Sequence, residues 1–223
     1  MFVDESYLMD FFKDKRVVFF GSAPNALNNK GNEINKYDII VRANNYKTAG
    51  LGDMVGKRTD VHYSFYGSSI RKSRGELIDD GVKLCMCKCP NSKPIKSEWH
   101  EKNNMSLGVD FRYIYKNRRE FWFCDTFIPS EERFIKHFEL MNKHIPTTGF
   151  SGLLDIIDFS PSELYITGFD FFRSNVHNIN ERWKKGRPDD PIKHEPENEA
   201  MKLKELTVKH SFIKLDEYLK RKI

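Results

Sequence analysis

Few residues in this chain of 223 could do acid–base chemistry, so their spacing carries information. Of seven histidines, His62 lies inside a strand-like run, His137 and His144 belong to a helical stretch, and His100 and His210 have no chemical company. All five read as structural or solvent-facing. His177 and His194 differ: both lie in or beside a polar segment, 17 residues apart. His194 also opens a helical stretch, His194-Glu-Pro-Glu-Asn-Glu199. An imidazole titrates near neutrality and suits proton transfer. Glu199, one and a half turns on, is placed to orient or stabilise that ring, although a charged helix start is also ordinary surface.

Two further clusters could meet a phosphate or carboxylate. Pro146-Thr-Thr-Gly149 sets the hydroxyls of Thr147 and Thr148, and the N–H groups that follow, at a helix start. Such a terminus attracts anions, and threonine there is equally a plain helix cap. Gly21-Ser-Ala-Pro-Asn25 follows an apolar run, and Gly21 would let backbone approach a ligand. The loop lacks the Lys-Ser/Thr of a P-loop and the three glycines of a dinucleotide fingerprint, so a simple turn is the alternative. Cys85, Cys87 and Cys89 alternate on one strand-like run and Cys124 stands apart. Without C-x-x-C pairs they read as buried thiols rather than a metal site.

The elements that must position these groups form an α/β pattern. Apolar or alternating runs at 16–20, 37–42, 59–66, 82–88, 112–115, 163–167 and 212–215 predict strands. Helices are expected at 5–13, 69–79, 131–143, 150–159 and 195–209, with a short one at the end; Ser130 caps the third. Strands alternating with helices imply a mostly parallel sheet covered on both faces, with ligands outside the carboxyl ends of the strands. Three polar clusters fall at such ends: 21–25, 42–45 and 168–170. Residues 172–193 are polar and rich in turn signals, and predict a short lid. A hydrophobic fraction of 39% with 18 phenylalanines argues for one folded domain over 1–223, with no internal repeat. The net charge of +5 suits an anionic substrate but selects none, and no basic, aromatic stripe favours nucleic acid. No apolar run approaches the length of a membrane span, and the first residues lack a signal-peptide pattern, which predicts a cytoplasmic protein.

In their order and spacing the motifs resemble the sialyltransferase family. The run Phe20-Gly-Ser-Ala-Pro-Asn25, then Gly31-Asn-Glu-Ile34, Tyr37-Asp-Ile-Ile-Val-Arg-Ala-Asn44 and Gly50-Leu-Gly-Asp53 through Thr59 is similar to the long motif of the animal enzymes. Pro146 through Phe169 resembles their short motif. His194 and Glu199 match the very short motif, H-x-x-x-x-E, and His177 falls near the third-motif histidine. Gly168-Phe-Asp-Phe171 resembles a strand end of bacterial sialyltransferases.

The resemblance implies a GT-A-like, Rossmann-type sandwich that binds a CMP-sugar and transfers an acidic keto-sugar to a glycan hydroxyl. It implies no metal or other cofactor, consistent with the lack of an Asp-x-Asp motif at the expected place. Carried over by position, Gly21, Ser22, Asn25 and Asn44 would contact the nucleotide. Thr147, Thr148 and Gly149 would hold carboxylate and phosphate, with Gly168 and Asp170 lining the same donor site. His177 would steady the leaving phosphate and His194 would deprotonate the acceptor. Ser22 stands where the family usually has Asn. Val17 and Ser160 stand about where the animal enzymes carry a disulfide. Together with the lack of an anchor, this points to a bacterial or viral cytosolic enzyme, with peripheral membrane contact and oligomeric state left open. The alternatives are a diphosphokinase-like phosphotransferase, which would need magnesium ligands, and a non-catalytic nucleotide-binding domain.

Overall fold

Residues 1–66, 72–90, 123–173 and 194–223 are described by the computed structural model. The strand expected at 112–115, His177 and all but the first two residues of the 172–193 segment lie outside them. The described strands are β1 (Phe2–Val3), β2 (Arg16–Phe20), β3 (Ile39–Ala43), β4 (Val61–Ser64), β5 (Leu84–Cys87), β6 (Asp125–Phe127), β7 (Glu163–Thr167) and β8 (Ile213–Leu215). They form one sheet in the order β1-β6-β5-β4-β3-β2-β7-β8, parallel at every pairing.

Burial on both faces explains why the central strands read as unbroken apolar runs rather than alternations. In β2, Val17 and Phe19 face a core shared with Leu153, Ile156 and Leu203, while Val18 and Phe20 face a second core with Ile34 and Val55. The helices covering the sheet are α1 (Glu5–Phe12), α2 (Gly31–Ile34), α3 (Gly52–Val55), α4 (Arg74–Asp79), α5 (Glu131–Leu140), α6 (Thr148–Asp158), α7 (Pro196–Lys209) and α8 (Glu217–Lys222). Side-chain oxygens cap several of them: Asp4 for α1, Ser73 with Glu76 as a capping box for α4, Ser130 for α5 and Asp216 for α8. A buried network also ties α5 and α6 to the sheet. Arg133 Nε donates to Asp155 Oδ1 at 2.6 Å, and the Tyr63 hydroxyl donates to Asp155 Oδ2 at 2.7 Å.

The structure departs from sequence expectation in identifiable places. α5 stops at Leu140, not 143, because Asn142 and Lys143 adopt left-handed backbone at φ 53° and 63°. α6 begins at Thr148, two residues early, because Thr147 accepts from Phe150 N and so caps it. β1 and β6, of two and three residues, are too short to leave a periodic signal. Cys85, Cys87 and Cys89 are buried together in one cluster, as their alternation implied.

The topology locates the site. From β2 the chain steps through β3, β4, β5 and β6 in one direction across the sheet. β7 then lies on the other side of β2. The order reverses between β2 and β7, and in open parallel sheets ligands bind beyond the carboxyl ends of the strands at such a reversal.

Candidate active site

The three loops predicted to carry polar clusters leave β3, β2 and β7, which are adjacent in the sheet. Those after β2 and β7 are locked together. Gly21 N donates to Thr167 O and Ala23 N to Gly168 O, both at 2.9 Å. A Cβ on Gly21 would sit 2.1 Å from Gly168 O, so glycine is required there by the neighbouring loop. The neighbouring loop thus accounts for the glycine by itself, independently of any ligand. Gly168 itself adopts φ 74°. Gly21→Ala should therefore force the two loops apart. The expected cost is about 3 kcal/mol, a melting temperature about 6–12 °C lower. Thermal denaturation measures it, and an unchanged midpoint would refute the close packing.

Asn25 and Asp170 are drawn into the scaffold. Asn25 Nδ2 donates to Asp216 Oδ2 at 2.9 Å, and the same oxygen accepts from the Thr167 hydroxyl at 2.7 Å. Asn25 Oδ1 is buried without a hydrogen-bond partner among the described residues. Asp170 Oδ1 accepts from Phe172 N at 3.0 Å, closing a turn in which Phe171 and Phe172 take φ 52° and 57°. Bulky residues in left-handed backbone concentrate strain of about 1–3 kcal/mol each just past the end of β7. Ser22 is half-buried on the loop between Gly21 and Ala23.

Asn44, at the end of β3, also adopts left-handed backbone, at φ 55°, which asparagine tolerates better than most residues. Its carbonyl accepts from His62 Nε2 at 2.9 Å, and the Tyr66 hydroxyl lies 3.0 Å from His62 Nδ1. Burial lowers the His62 pKa to about 4, so the ring is a neutral brace. The structural reading of His62 holds.

The densest constellation joins the N-termini of α6 and α7. Four residues of the turn leading into α7 and its first helical turn grip the segment before α6. His194 Nδ1 donates to Ile145 O at 2.7 Å, and His144 Nε2 lies 3.0 Å from Glu195 Oε1. Asn198 Nδ2 donates to Met141 O at 3.2 Å. Glu199 receives both the backbone N–H of Thr147 and, at 3.0 Å, its hydroxyl. Buried Lys88, the residue after β5, donates to Pro146 O at 2.6 Å.

This arrangement revises two roles. Glu199 anchors Thr147, not the imidazole, and its orienting partner role passes to the Ile145 carbonyl. Thr147, whose hydroxyl also caps α6 at Phe150 N, has its donors directed at Glu199. The N–H groups of Thr148 and Gly149 begin the helix without intrahelical acceptors. Gly149 packs on Phe169, where a Cβ would lie 2.9 Å from the ring, and this joins the α6 terminus to the β7 loop. Burial raises the Glu199 pKa to about 7, against hydrogen bonds from Thr147 that pull it down.

Sequence reasoning missed Lys88 and Ile145 as supports. A lysine ending an otherwise apolar strand was the one available signal; a backbone carbonyl leaves none.

The family model for glycosyltransferase family 29 (sialyltransferase) matches residues 25–206. The chain belongs to this family. Family 29 membership makes it a glycosyltransferase, and its fold is shared with solved sialyltransferases at low identity. A mammalian sialyltransferase in complex with Gal-beta-1-3GalNAc-ortho-nitrophenol is 15% identical, with a TM-score of 0.59, over 96% of this chain and 73% of that one. Monofunctional alpha-2,3-sialyltransferase Cst-I from Campylobacter jejuni is 16% identical, TM-score 0.58, over 97% and 79%. CstII from Campylobacter jejuni, in complex with the substrate analogue CMP-3FNeuAc, is 14% identical, TM-score 0.55, over 90% and 81%. No curated protein sequence matches the chain.

Proposed function

We propose that this family 29 chain transfers sialic acid or a related acidic keto-sugar from a CMP-sugar to a glycan hydroxyl, with inversion, without a metal, and with His194 as general base. The observation that carries the reading is the His194–Ile145 hydrogen bond. With Nδ1–H donated to a carbonyl, the neutral ring carries its lone pair on Nε2, as a base that accepts a hydroxyl proton requires. The bond also ties His194 to Ile145, three residues before α6 begins.

A CMP-sugar of this class carries a carboxylate beside the anomeric carbon, and its CMP leaves as a phosphate monoester. As the glycosidic bond to phosphate breaks, the sugar gains oxocarbenium character and the phosphate gains charge. The N–H groups of Thr148 and Gly149, the Thr148 hydroxyl and the dipole of the 11-residue α6 would meet that anion. Thr147 serves by holding α6 in place. The β2, β3 and β7 loops, with Gly21, Ser22, Asn25, Asn44, Gly168 and Asp170, would enclose the nucleotide, and Asn25 Oδ1 can still accept a hydrogen bond. Attack from the face opposite the phosphate gives inversion. His177 keeps its proposed role toward the leaving phosphate, and lies outside the described residues.

We read 1–223 as one domain, because β1 and β8, from the two ends of the chain, edge the same sheet. Among the described residues no helix is long and apolar enough to cross a membrane. The cytoplasmic location and the bacterial or viral source remain part of this proposal.

The test is CMP release from CMP-sialic acid in EDTA, with and without a panel of glycan acceptors. Acceptor-stimulated release that persists in EDTA is expected. Turnover restored only by magnesium would sink the metal-free mechanism, and failure of CMP to raise the melting temperature would sink the donor assignment.

A further inference from the structure

Cys85, in β5, and Cys124, one residue before β6 begins, bring their sulfurs to 3.4 Å across adjacent parallel strands. Cys85 is wholly buried and Cys124 is partly exposed. The other two cysteines, Cys87 and Cys89, are both buried. We propose that Cys85 and Cys124 are a hydroperoxide-sensitive thiol pair, with Cys124 the attacking sulfur and Cys85 the resolving one.

The roles follow from access and geometry. Of the two residues only Cys124 is partly exposed, which puts it on the side from which a small oxidant would arrive. Cys85, at van der Waals distance behind it, is held in the core beside Tyr66 and Leu77. A thiolate on Cys124 accepts a hydrogen bond from Cys85 S–H, which draws the Cys124 pKa down, whereas that same bond, then burial and the neighbouring charge, push the Cys85 thiol well up. The asymmetry is that of an attacking and a resolving cysteine. Burial likewise pushes the Cys87 thiol up, leaving it a poor competitor.

The chemistry balances with one hydroperoxide, ROOH. The Cys124 thiolate attacks the terminal peroxide oxygen. An S–O bond forms, the O–O bond breaks, and the departing alkoxide takes a proton as ROH. Cys85 sulfur then attacks the Cys124 sulfenyl sulfur. An S–S bond forms, the S–O bond breaks, and hydroxide leaves as water with the Cys85 proton. The thiols lose two electrons and the peroxide gains them. The sulfurs must close from 3.4 Å to about 2.05 Å. Cys124 is placed to make that movement, since it stands just outside the ladder that begins at Asp125.

The experiment exposes the full chain to hydrogen peroxide at neutral pH, followed by thiol titration and non-reducing peptide mapping. Two of the four thiols should disappear, with a Cys85 peptide joined to a Cys124 peptide and both thiols restored by dithiothreitol. Cys124→Ser should slow thiol loss at least about tenfold. Cys85→Ala should leave Cys124 as a sulfenic acid trapped by dimedone; should that core variant not fold, the wild-type peptide map decides alone. Four thiols surviving in the wild type, a link made through Cys87 or Cys89, or oxidation of Cys124 with no link to Cys85 would each overturn the proposal.

Discussion

Replacing His194 by alanine is expected to lower kcat for sialyl transfer by about 10²–10⁴-fold while leaving the KM for the CMP-sugar within a few-fold of wild type. A general base acts as the acceptor hydroxyl attacks, so its loss falls on the chemical step and not on donor binding. The ring has a second task, because its Nδ1–H holds the Ile145 carbonyl ahead of α6. His194→Asn separates the two. An asparagine amide can donate to Ile145 O from nearly the position of Nδ1, yet offers no basic nitrogen. The asparagine variant should melt near the wild-type temperature and still show the loss in kcat. Wild-type turnover in that variant would remove His194 as the base.

Glu199→Ala should be the most destabilising single change at the site, at about 4 kcal/mol. It would strip the part-buried Thr147 N–H and hydroxyl of their acceptor and open a cavity between α6 and α7. Glu199→Gln keeps the shape and isolates the charge: its oxygen still accepts from Thr147 N, and its amide N–H donates to the Thr147 hydroxyl oxygen in place of accepting from it. The folded-state pKa of Glu199 is raised, from 4.5 to about 7. The stability it contributes is therefore fully present below pH 4.5 and is lost as pH rises through 7. That shift corresponds to about 3 kcal/mol. Wild type and Glu199→Gln should be equally stable near pH 4.5, and the glutamine variant should pull ahead by up to that amount above pH 7. Denaturant midpoints across this range measure the difference, and a gap that does not change with pH would contradict the buried carboxyl. Because the terminus of α6 depends on Thr147, any loss of donor affinity in Glu199→Ala should exceed that in Glu199→Gln.

Much of the fold was legible because burial writes itself into sequence. β2 and β7 are continuous or nearly continuous apolar runs ending in glycine, and the expected ranges 16–20 and 163–167 coincide with the strands. The α7 range differed by one residue at its start. Ends set by left-handed residues at 142–143, and strands of two or three residues at the sheet edge, were beyond reach. Neither depends on periodicity; both depend on how the chain is held by distant neighbours.

The same division runs through the site. Residue types and order picked out a histidine and a glutamate five residues apart, a Thr-Thr-Gly helix start and a Gly-x-x-Pro loop as groups able to do chemistry, and their resemblance to the family's motifs joined them into one expected site. They could be picked out because reactive side chains must be present whatever the fold. Which atom touches which was decided only in three dimensions. Glu199 reaches Thr147 and not His194, the imidazole is oriented by the Ile145 carbonyl, and Gly21 is glycine because Gly168 leaves no room for a Cβ. Backbone carbonyls and close approaches between loops carry no side-chain signature, so such supports emerge only when β2 and β7 lie side by side and α7 docks on α6.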